Sequence, residues 1–463
     1  MMMKKYFNSI LVLSLGSLMF LFSCERYLAV EPPNNRLSTA AVYADSAAAS
    51  LALVGVYSNM VGSALGYITM QQSLWSLCAD DMNYSGTSVQ IRQFLDNSIL
   101  IDNGNLNTLW GNLYRHIYQV NAVIEGVEAS QGIAQGAKQL FLGEAKFIRA
   151  FLLFNAVNSW GDIPLITSTD YRVNEAKPRT SATAVYEQIV ADLQAAVDGL
   201  QDRYVGSERA RPNRVTALAL LARVELYRRN WERAEELATA LIDRTDYRLE
   251  ANLNAVFLKD SREVIWQLAP STTIPTNTPA SDYVPASFTD AVIPLYLLYP
   301  EFYAGFAEQD RRRQDWIAIK PAGPYYVFYK YKDRSMPMAT RREYTVLFRL
   351  AEQYLIRAEA RAQRGNVQAA VNDLNSIRAR AQAPRLTTSF TQEQLLQAVE
   401  RERQQELFND WGGHRWLDLK RTGRANAVLG ALKGPNWQPE DQLWPIPLQQ
   451  LLTNPFLTQN AGY

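Results

Sequence analysis

The feature that most constrains this chain is a helical unit that occurs twice. Ala222-Arg-Val-Glu-Leu-Tyr-Arg-Arg-Asn230-Trp-Glu-Arg-Ala234 aligns without gaps on Ala358-Glu-Ala-Arg-Ala-Gln-Arg-Gly-Asn366-Val-Gln-Ala-Ala370. In the later copy Phe348, Ala351, Tyr354, Leu355, Ala358 and Ala362 share one helical face. Gly365-Asn366 then supplies turn chemistry suited to a left-handed backbone. Val367, Ala370, Val371, Leu374 and Ile377 mark the face of a second helix. Alanine at 222/358 and 234/370 lets the two helices of each unit approach closely. A hairpin of this kind cannot bury its apolar face alone, so the chain is committed to packing helix on helix.

Alanine at such crossings, with Asn in the turn, is the tetratricopeptide pattern. The same period predicts helices over 40–60, 106–128, 137–159, 182–200, 213–229 and 231–242. The units are not contiguous, so a regular solenoid is not expected. The expectation is a mainly α fold: tetratricopeptide-like hairpins at about 137–245 and 343–382 form a scaffold, with long irregular loops and a few short strands. Between Pro270 and Pro337 the helical period fails. Thr272-Thr-Ile-Pro-Thr-Asn-Thr-Pro279 reads as loop, and Tyr325-Tyr-Val-Phe-Tyr-Lys-Tyr331 as part of a short hairpin. Irregular segments held on a rigid scaffold are where binding contacts concentrate. The expected ligand-binding portion is therefore about 60–110 and 270–337, within one domain spanning 37–463.

The N-terminus carries a targeting signal. Lys4 and Lys5 precede an almost wholly apolar run of 13 residues, Ile10 to Phe22. A membrane-spanning helix needs about 20, so the run reads as the hydrophobic region of an export signal. Leu21-Phe22-Ser23-Cys24 resembles a bacterial lipobox, although Phe22 is bulkier than usual. Residues 1–23 are thus expected to be removed and Cys24 lipidated, with 24–36, including Pro32-Pro33, as a tether. A plain secretory signal with a coincidental cysteine is the competing reading. Cys78 is then the one remaining thiol. It cannot form an intramolecular disulfide and reads as a small buried hydrophobe.

Composition excludes several functions. The 47 Lys+Arg nearly balance 46 Asp+Glu, which argues against a nucleic-acid surface. His116 and His414 are the only histidines, too few for most His-based zinc sites and triads. No Gly-x-Ser-x-Gly elbow, P-loop or His-Glu-x-x-His motif occurs. So many carboxylates give no means of picking a glycosidase pair by proximity. No catalytic residue and no cofactor is assigned. Asp80-Asp81 with Asn83 has calcium-ligand chemistry without the spacing of an EF-hand loop, which leaves metals open. The 10 Trp, 24 Tyr and 17 Phe point elsewhere. Sugars offer C–H faces that stack on flat rings and hydroxyls that bond to short polar side chains. Trp75, Asp80, Asp81, Asn83 and Tyr84 have that mixture, as do Tyr283, Tyr296, Tyr299, Trp316, Tyr325 and Tyr326. For each ring, burial in the core is the competing reading.

Four stretches together resemble the SusD/RagB family of outer-membrane nutrient-binding lipoproteins. They are the lipobox with its tether; Gly143-Glu-Ala-Lys-Phe-Ile-Arg-Ala-Phe-Leu-Leu-Phe154 with Trp160-Gly-Asp-Ile-Pro-Leu165; Arg349-Leu-Ala-Glu-Gln-Tyr-Leu-Ile-Arg-Ala-Glu-Ala360 with Leu374-Asn-Ser-Ile-Arg378; and a C-terminal block. That block runs through Glu400-Arg401, Glu406-Leu407, His414-Arg-Trp-Leu-Asp-Leu-Lys-Arg421, Trp444-Pro-Ile-Pro447, Asn454-Pro455 and Gln459-Asn-Ala-Gly-Tyr463. Trp411-Gly412-Gly413-His414 departs from the family, which more often has Glu-Gly there. Within the block, Arg415 and Asp418 are spaced to pair across one helical turn, and Trp416 and Leu419 to enter a core. Pro445 and Pro447 should hold an extended segment, and turns at Asn454-Pro455 and Gly462 should pin the C-terminus. The resemblance implies that these motifs are structural and not catalytic. It implies a lipid-anchored protein of the outer-membrane surface that binds an oligosaccharide, or a peptide in RagB-like members. It also implies a SusC-like TonB-dependent transporter as partner, with this chain as its lid. A tetratricopeptide scaffold lipoprotein and a surface glycosidase are the alternatives.

Overall fold

The computed structural model describes residues 39–61, 66–270, 278–321, 323–334, 340–387 and 389–463. The expected signal peptide, Cys24 and the tether lie outside them, as does most of the 272–279 stretch. Among the described residues the long helices that open the fold are α1 (Ser46–Val61), α2 (Tyr67–Cys78), α3 (Gly104–Ala129), α4 (Gln135–Trp160) and α5 (Ala182–Gly199), with shorter ones at Thr39–Val42, Val89–Leu95 and Tyr171–Asn174. Their starts follow from local chemistry. The Asn103 side chain accepts from the amides of Asn105 and Leu106, and Ser181 Oγ accepts from Ala184. From Phe147 to Val157 every residue of α4 is buried, because this stretch is apolar on nearly all sides. It forms the centre of the helical layer, with α3 and α5 packed against it.

The two related sequences form helical hairpins, α6 (Arg214–Tyr227) with α7 (Trp231–Ile242), and α8 (Leu350–Gln363) with α9 (Val367–Arg380). Their turns are the same conformation. Asn230 lies at φ −84°, ψ 72° and Asn366 at φ −86°, ψ 71°. The preceding residues are both left-handed, Arg229 at φ 60° and Gly365 at φ 77°. Glycine adopts that conformation freely and arginine does not, so geometry is kept at position 229 against residue preference. Although remote in sequence, the hairpins pack together through α7 and α8. Arg361 bridges Glu235 at 2.9 Å and Asp373 at 2.8 Å, and Arg364 reaches Glu235 at 2.6 Å.

Four described helices follow: α10 (Gln392–Leu407), α11 (His414–Arg421), α12 (Ala425–Lys433) and the short α13 (Leu448–Thr453). The strands form antiparallel pairs: β1 (Met82–Tyr84) with β3 (Tyr296–Leu298), β2 (Val264–Leu268) with β6 (Thr345–Arg349), and β4 (Ile317–Lys320) with β5 (Tyr325–Phe328). The hairpin expected around Tyr325 thus pairs with the segment before it. Among the described residues no helix is long and apolar enough to cross a membrane.

A buried ionic cluster joins β6, α9 and α10. Arg349 contacts Glu263 at 2.8 Å, Glu406 at 2.6 Å and Asp410 at 2.5 Å. Arg312 contacts Asp310, Glu402 and Glu406 at 2.8, 2.7 and 3.0 Å. Lys330 Nζ donates to the Glu406 carbonyl and to Asp410, both at 2.7 Å. Burial alone would raise the Glu406 carboxyl, but Arg380, Arg349 and Arg312 hold it far below the usual range. Breaking such a cluster strands a charge in the interior.

Several expectations change. The helix foreseen at 40–60 is interrupted between Val42 and Ser46. Helix α2 was expected to be loop. Its polar Gln71, Gln72, Ser73 and Ser76 are buried along with its apolar residues, so no amphipathic period marks it. Residues 278 and 279, read as loop, open a short helix, Thr278–Tyr283. Arg415 does not pair with Asp418. It reaches Asp80 at 2.6 Å and Glu400 at 2.9 Å, while Asp418 is held by Arg403 at 2.6 Å and Arg421 at 2.7 Å. Tertiary partners outcompete the local one. The C-terminus is pinned: Asn460 Nδ2 donates to the carbonyls of Trp160 and Trp444, at 2.9 and 2.7 Å.

Candidate functional site

Pairing of β1 with β3 brings the irregular segment around residue 290 onto the α2–β1 region. A cavity of about 690 Å³ opens beside that junction. Its walls come from α2 (Ser73), the start of α3 (Asn105), the 281–296 segment and Arg334. The Tyr283 hydroxyl shares a 2.9 Å hydrogen bond with Ser73 Oγ, which fixes the ring. Tyr296 packs edge-on to Tyr283, with centroids 5.6 Å apart, and lies 5.7 Å from Tyr84. Tyr296 is half-buried, so part of its ring remains accessible. Val292, Ile293 and Leu295 are 68%, 49% and 46% exposed and form an apolar rim.

Asp282 supplies a carboxyl to the wall. Burial pushes it up to about 6, partly countered by Arg334. Arg334 Nη1 is itself held by the carbonyls of Ser281, at 3.1 Å, and of Val284. The cavity thus joins an accessible aromatic ring to hydroxyl, amide and carboxyl groups within one concave surface. Such a surface suits a ligand with apolar faces and hydroxyl edges. Among the described residues no group of His, Cys, Asp and Glu is arranged to hold a metal ion.

The residues singled out from sequence divide. Tyr283, Tyr296 and Tyr84 come together here, and Asn83 lies beside them in β1, its Oδ1 accepting from the Tyr84 amide at 2.7 Å. Trp75 and Trp316 are corrections: both are 0% exposed. The Trp75 indole donates to Ser159 Oγ at 3.1 Å, and that of Trp316 to the Leu253 carbonyl at 3.0 Å. Both rings belong to the core, because large rings gain most by leaving water. Asp80 is half-buried and away from this cavity, and both its oxygens accept from Arg415, at 2.6 and 2.7 Å. Asp81 is buried, and burial with the neighbouring Asp80 charge pushes it up to about 7. With Tyr299, Asp80 borders a different hollow of about 500 Å³. Tyr325 and Tyr326 stand on β5, away from the first cavity's walls. Tyr326 stacks on Tyr303 at 4.3 Å, with the Arg313 guanidinium 4.4 Å over Tyr303. Sequence reasoning missed Ser73, Asn105, Asp282 and Arg334. Asp282 was the most accessible of these, as a carboxylate adjoining an aromatic in a stretch without helical period.

Comparison with known proteins gives consistent results. A SusD-like family model described as "Starch-binding associating with outer membrane" matches residues 26–226, and the SusD family model matches 320–463. SusD-like protein P38 of Formosa agariphila is 27% identical over 523 aligned positions, covering 100% of both chains. A SusD superfamily protein of Bacteroides vulgatus has the same fold, with a TM-score of 0.81 at 20% identity over 90% of this chain and 99% of that one. A laminarin-binding SusD-like protein aligns with a TM-score of 0.75 at 25% identity, again over 90% and 99%.

Proposed function

Starting from the chain's membership of the SusD/RagB family, we propose that it is a non-catalytic surface lipoprotein that binds an oligosaccharide and delivers it to a SusC-like TonB-dependent transporter. The observation that carries the binding reading is the cavity beside β3. There the partly open Tyr296 ring adjoins Asp282, Ser73 and Asn105. The ring would stack on a sugar face while the polar groups bond its hydroxyls. The family description and the laminarin-binding structural relative support carbohydrate as the ligand class. Cys24, once acylated, would hold the protein at the outer membrane, since several chains each contribute about 0.8 kcal/mol per buried CH₂. Capture and gating would then be the whole mechanism: ligand is held under the lid and passed to the transporter, with no bond broken.

The test is a glycan-array and thermal-shift screen of residues 25–463, including laminarin and starch, followed by titration of Tyr296→Ala. A bound glycan should raise the melting temperature and release no reducing ends. Tyr296→Ala should weaken binding per folded molecule by about tenfold, or ~1.4 kcal/mol, beyond the lower melting temperature expected from losing its packing on Tyr283 and Tyr84. New reducing ends, or binding indifferent to Tyr296, would remove this reading. Co-purification with a large β-barrel transporter tests the delivery step.

A further inference from the structure

A second cavity, of about 440 Å³, lies between α3, the 164–175 segment and the 450–457 segment. Trp110, Gly111, Tyr114 and Tyr118 contribute its α3 wall. At about 100° per residue these four fall within about 100° of one another, and roughly opposite Asn105, which lines the first cavity. The two cavities therefore use different faces of one helix.

Two tyrosines line this cavity in the open: Tyr118 is 53% and Tyr171 71% exposed. Exposed rings of that size are costly to leave in water. Between them stand Thr169, Asn174, Gln450 and Asn454, and Glu175 is the one charged side chain among the described lining residues. Asn174 Nδ2 donates to the Ser168 carbonyl at 2.7 Å, while its buried Oδ1 accepts no hydrogen bond from the protein. That atom is closed to solvent, so it marks a gap in the wall's own hydrogen bonding and not a ligand contact.

The walls are fixed. Tyr114 Oη donates to the Pro164 carbonyl at 2.9 Å, and Asn121 Nδ2 to that of Ile166 at 3.1 Å. The Thr169 amide donates to Glu125 at 2.8 Å, and Asn454 Nδ2 to the Lys177 carbonyl at 3.0 Å. Two open rings, amide and hydroxyl edges and little charge suit a neutral, polyhydroxylated ring. They do not suit an anion, which would meet Glu175, or a lipid tail, which would leave the amides unpaired.

We infer that this cavity is a second saccharide-binding subsite, in which Tyr118 and Tyr171 stack on sugar faces and the polar side chains that line it, Thr169, Gln450 and Asn454, bond sugar hydroxyls. The inference rests on the proposed glycan binding, extended to a separate face of the protein. Two sites on one anchored chain would raise retention of a long polysaccharide without tightening either site.

The experiment is a fluorine NMR titration of residues 25–463 labelled with 3-fluorotyrosine. The resonances of Tyr118, Tyr171 and Tyr296 are assigned from Tyr118→Phe, Tyr171→Phe and Tyr296→Phe. Laminarihexaose and maltohexaose are the probes. The expected result is saturable movement of Tyr118 and Tyr171 with one of them. The Y171A variant should weaken the Tyr118 titration at least tenfold while the Tyr296 titration stays within twofold. Both rings are exposed, so the melting temperature should not change. Movement of Tyr296 alone overturns this inference and leaves the first cavity's role standing. Movement of Tyr118 and Tyr171 alone supports the inference and removes that role. Silence at all three removes both. Shifts that grow with protein concentration without sugar would assign the face to a second copy of the chain and overturn the inference.

Discussion

Arg349 and Asp282 are both charged side chains sheltered from water, and their surroundings differ in kind. Arg349 sits in a lattice of full charges, with Glu263, Glu406 and Asp410 all within 2.8 Å. Asp282 has one partly compensating cation, Arg334, and stands at the wall of an open cavity. In the first region every charge is matched, so desolvation is offset by mutual attraction and the frame is rigid. In the second, compensation is incomplete and a ring, a carboxyl and an apolar rim remain available. The contrast teaches where to look for function in this molecule: charge abundance marks the frame, and incomplete satisfaction marks the contact surface.

The comparison breaks first if the frame tolerates loss of a partner. Glu406→Gln removes the carboxylate shared by Arg312, Arg349 and Arg380. It should cost about 3–5 kcal/mol in denaturant unfolding, and a loss under 1 kcal/mol would mean the cluster is ornamental. Trp316→Ala should cost a similar ~3–5 kcal/mol and leave saccharide binding unchanged per folded molecule. If it instead weakened binding at intact stability, the division between core rings and contact rings would fail.

Asp81→Asn sharpens the comparison through pH. The folded-state value of about 7 stands above the ordinary 3.8, so the native chain binds a proton that the unfolded chain releases. Its contribution is fully present below the unfolded value and is lost as pH rises through about 7. The Asp81 contribution should therefore fall between pH 5 and pH 8, by up to ~3 kcal/mol, while buried His414, held well below its ordinary value, contributes with the opposite sign. Asp81→Asn should flatten that slope in urea unfolding at the two pH values. The smallest effect is expected at the cavity. Asp282 ionises through about pH 6, and a carboxylate accepts sugar hydroxyls more strongly than a carboxylic acid does. Saccharide affinity should rise about threefold, or ~0.7 kcal/mol, from pH 5 to pH 7. In Asp282→Asn it should not change with pH; an unaltered pH profile in that variant would place the titrating group elsewhere.

Legibility in the sequence followed locality. The expected helix at 231–242 is Trp231–Ile242, and that at 182–200 is Ala182–Gly199, because period and caps lie within each element. Helix α2 escaped, since its buried glutamines and serines erase the apolar stripe. Tyr283 and Tyr296 could be nominated as aromatics in an aperiodic stretch. Trp75 and Trp316 could not be told from them, because all four offer the same ring to the same argument. That Asp80 is held by Arg415, far along the chain, is likewise not legible in the sequence.

By itself the sequence determined that this chain forms paired helices with a shared turn, around a long aromatic insertion. Spacing of apolar residues and turn chemistry act over a few neighbouring positions, even where Arg229 must take the conformation that Gly365 takes freely. Only the tertiary structure decided which rings and carboxyls meet water. Exposure is set by segments distant in sequence: Ser159 and Trp411 over Trp75, Leu253 and Phe408 over Trp316, and, among the described residues, none fully covering Tyr296, Tyr118 or Tyr171.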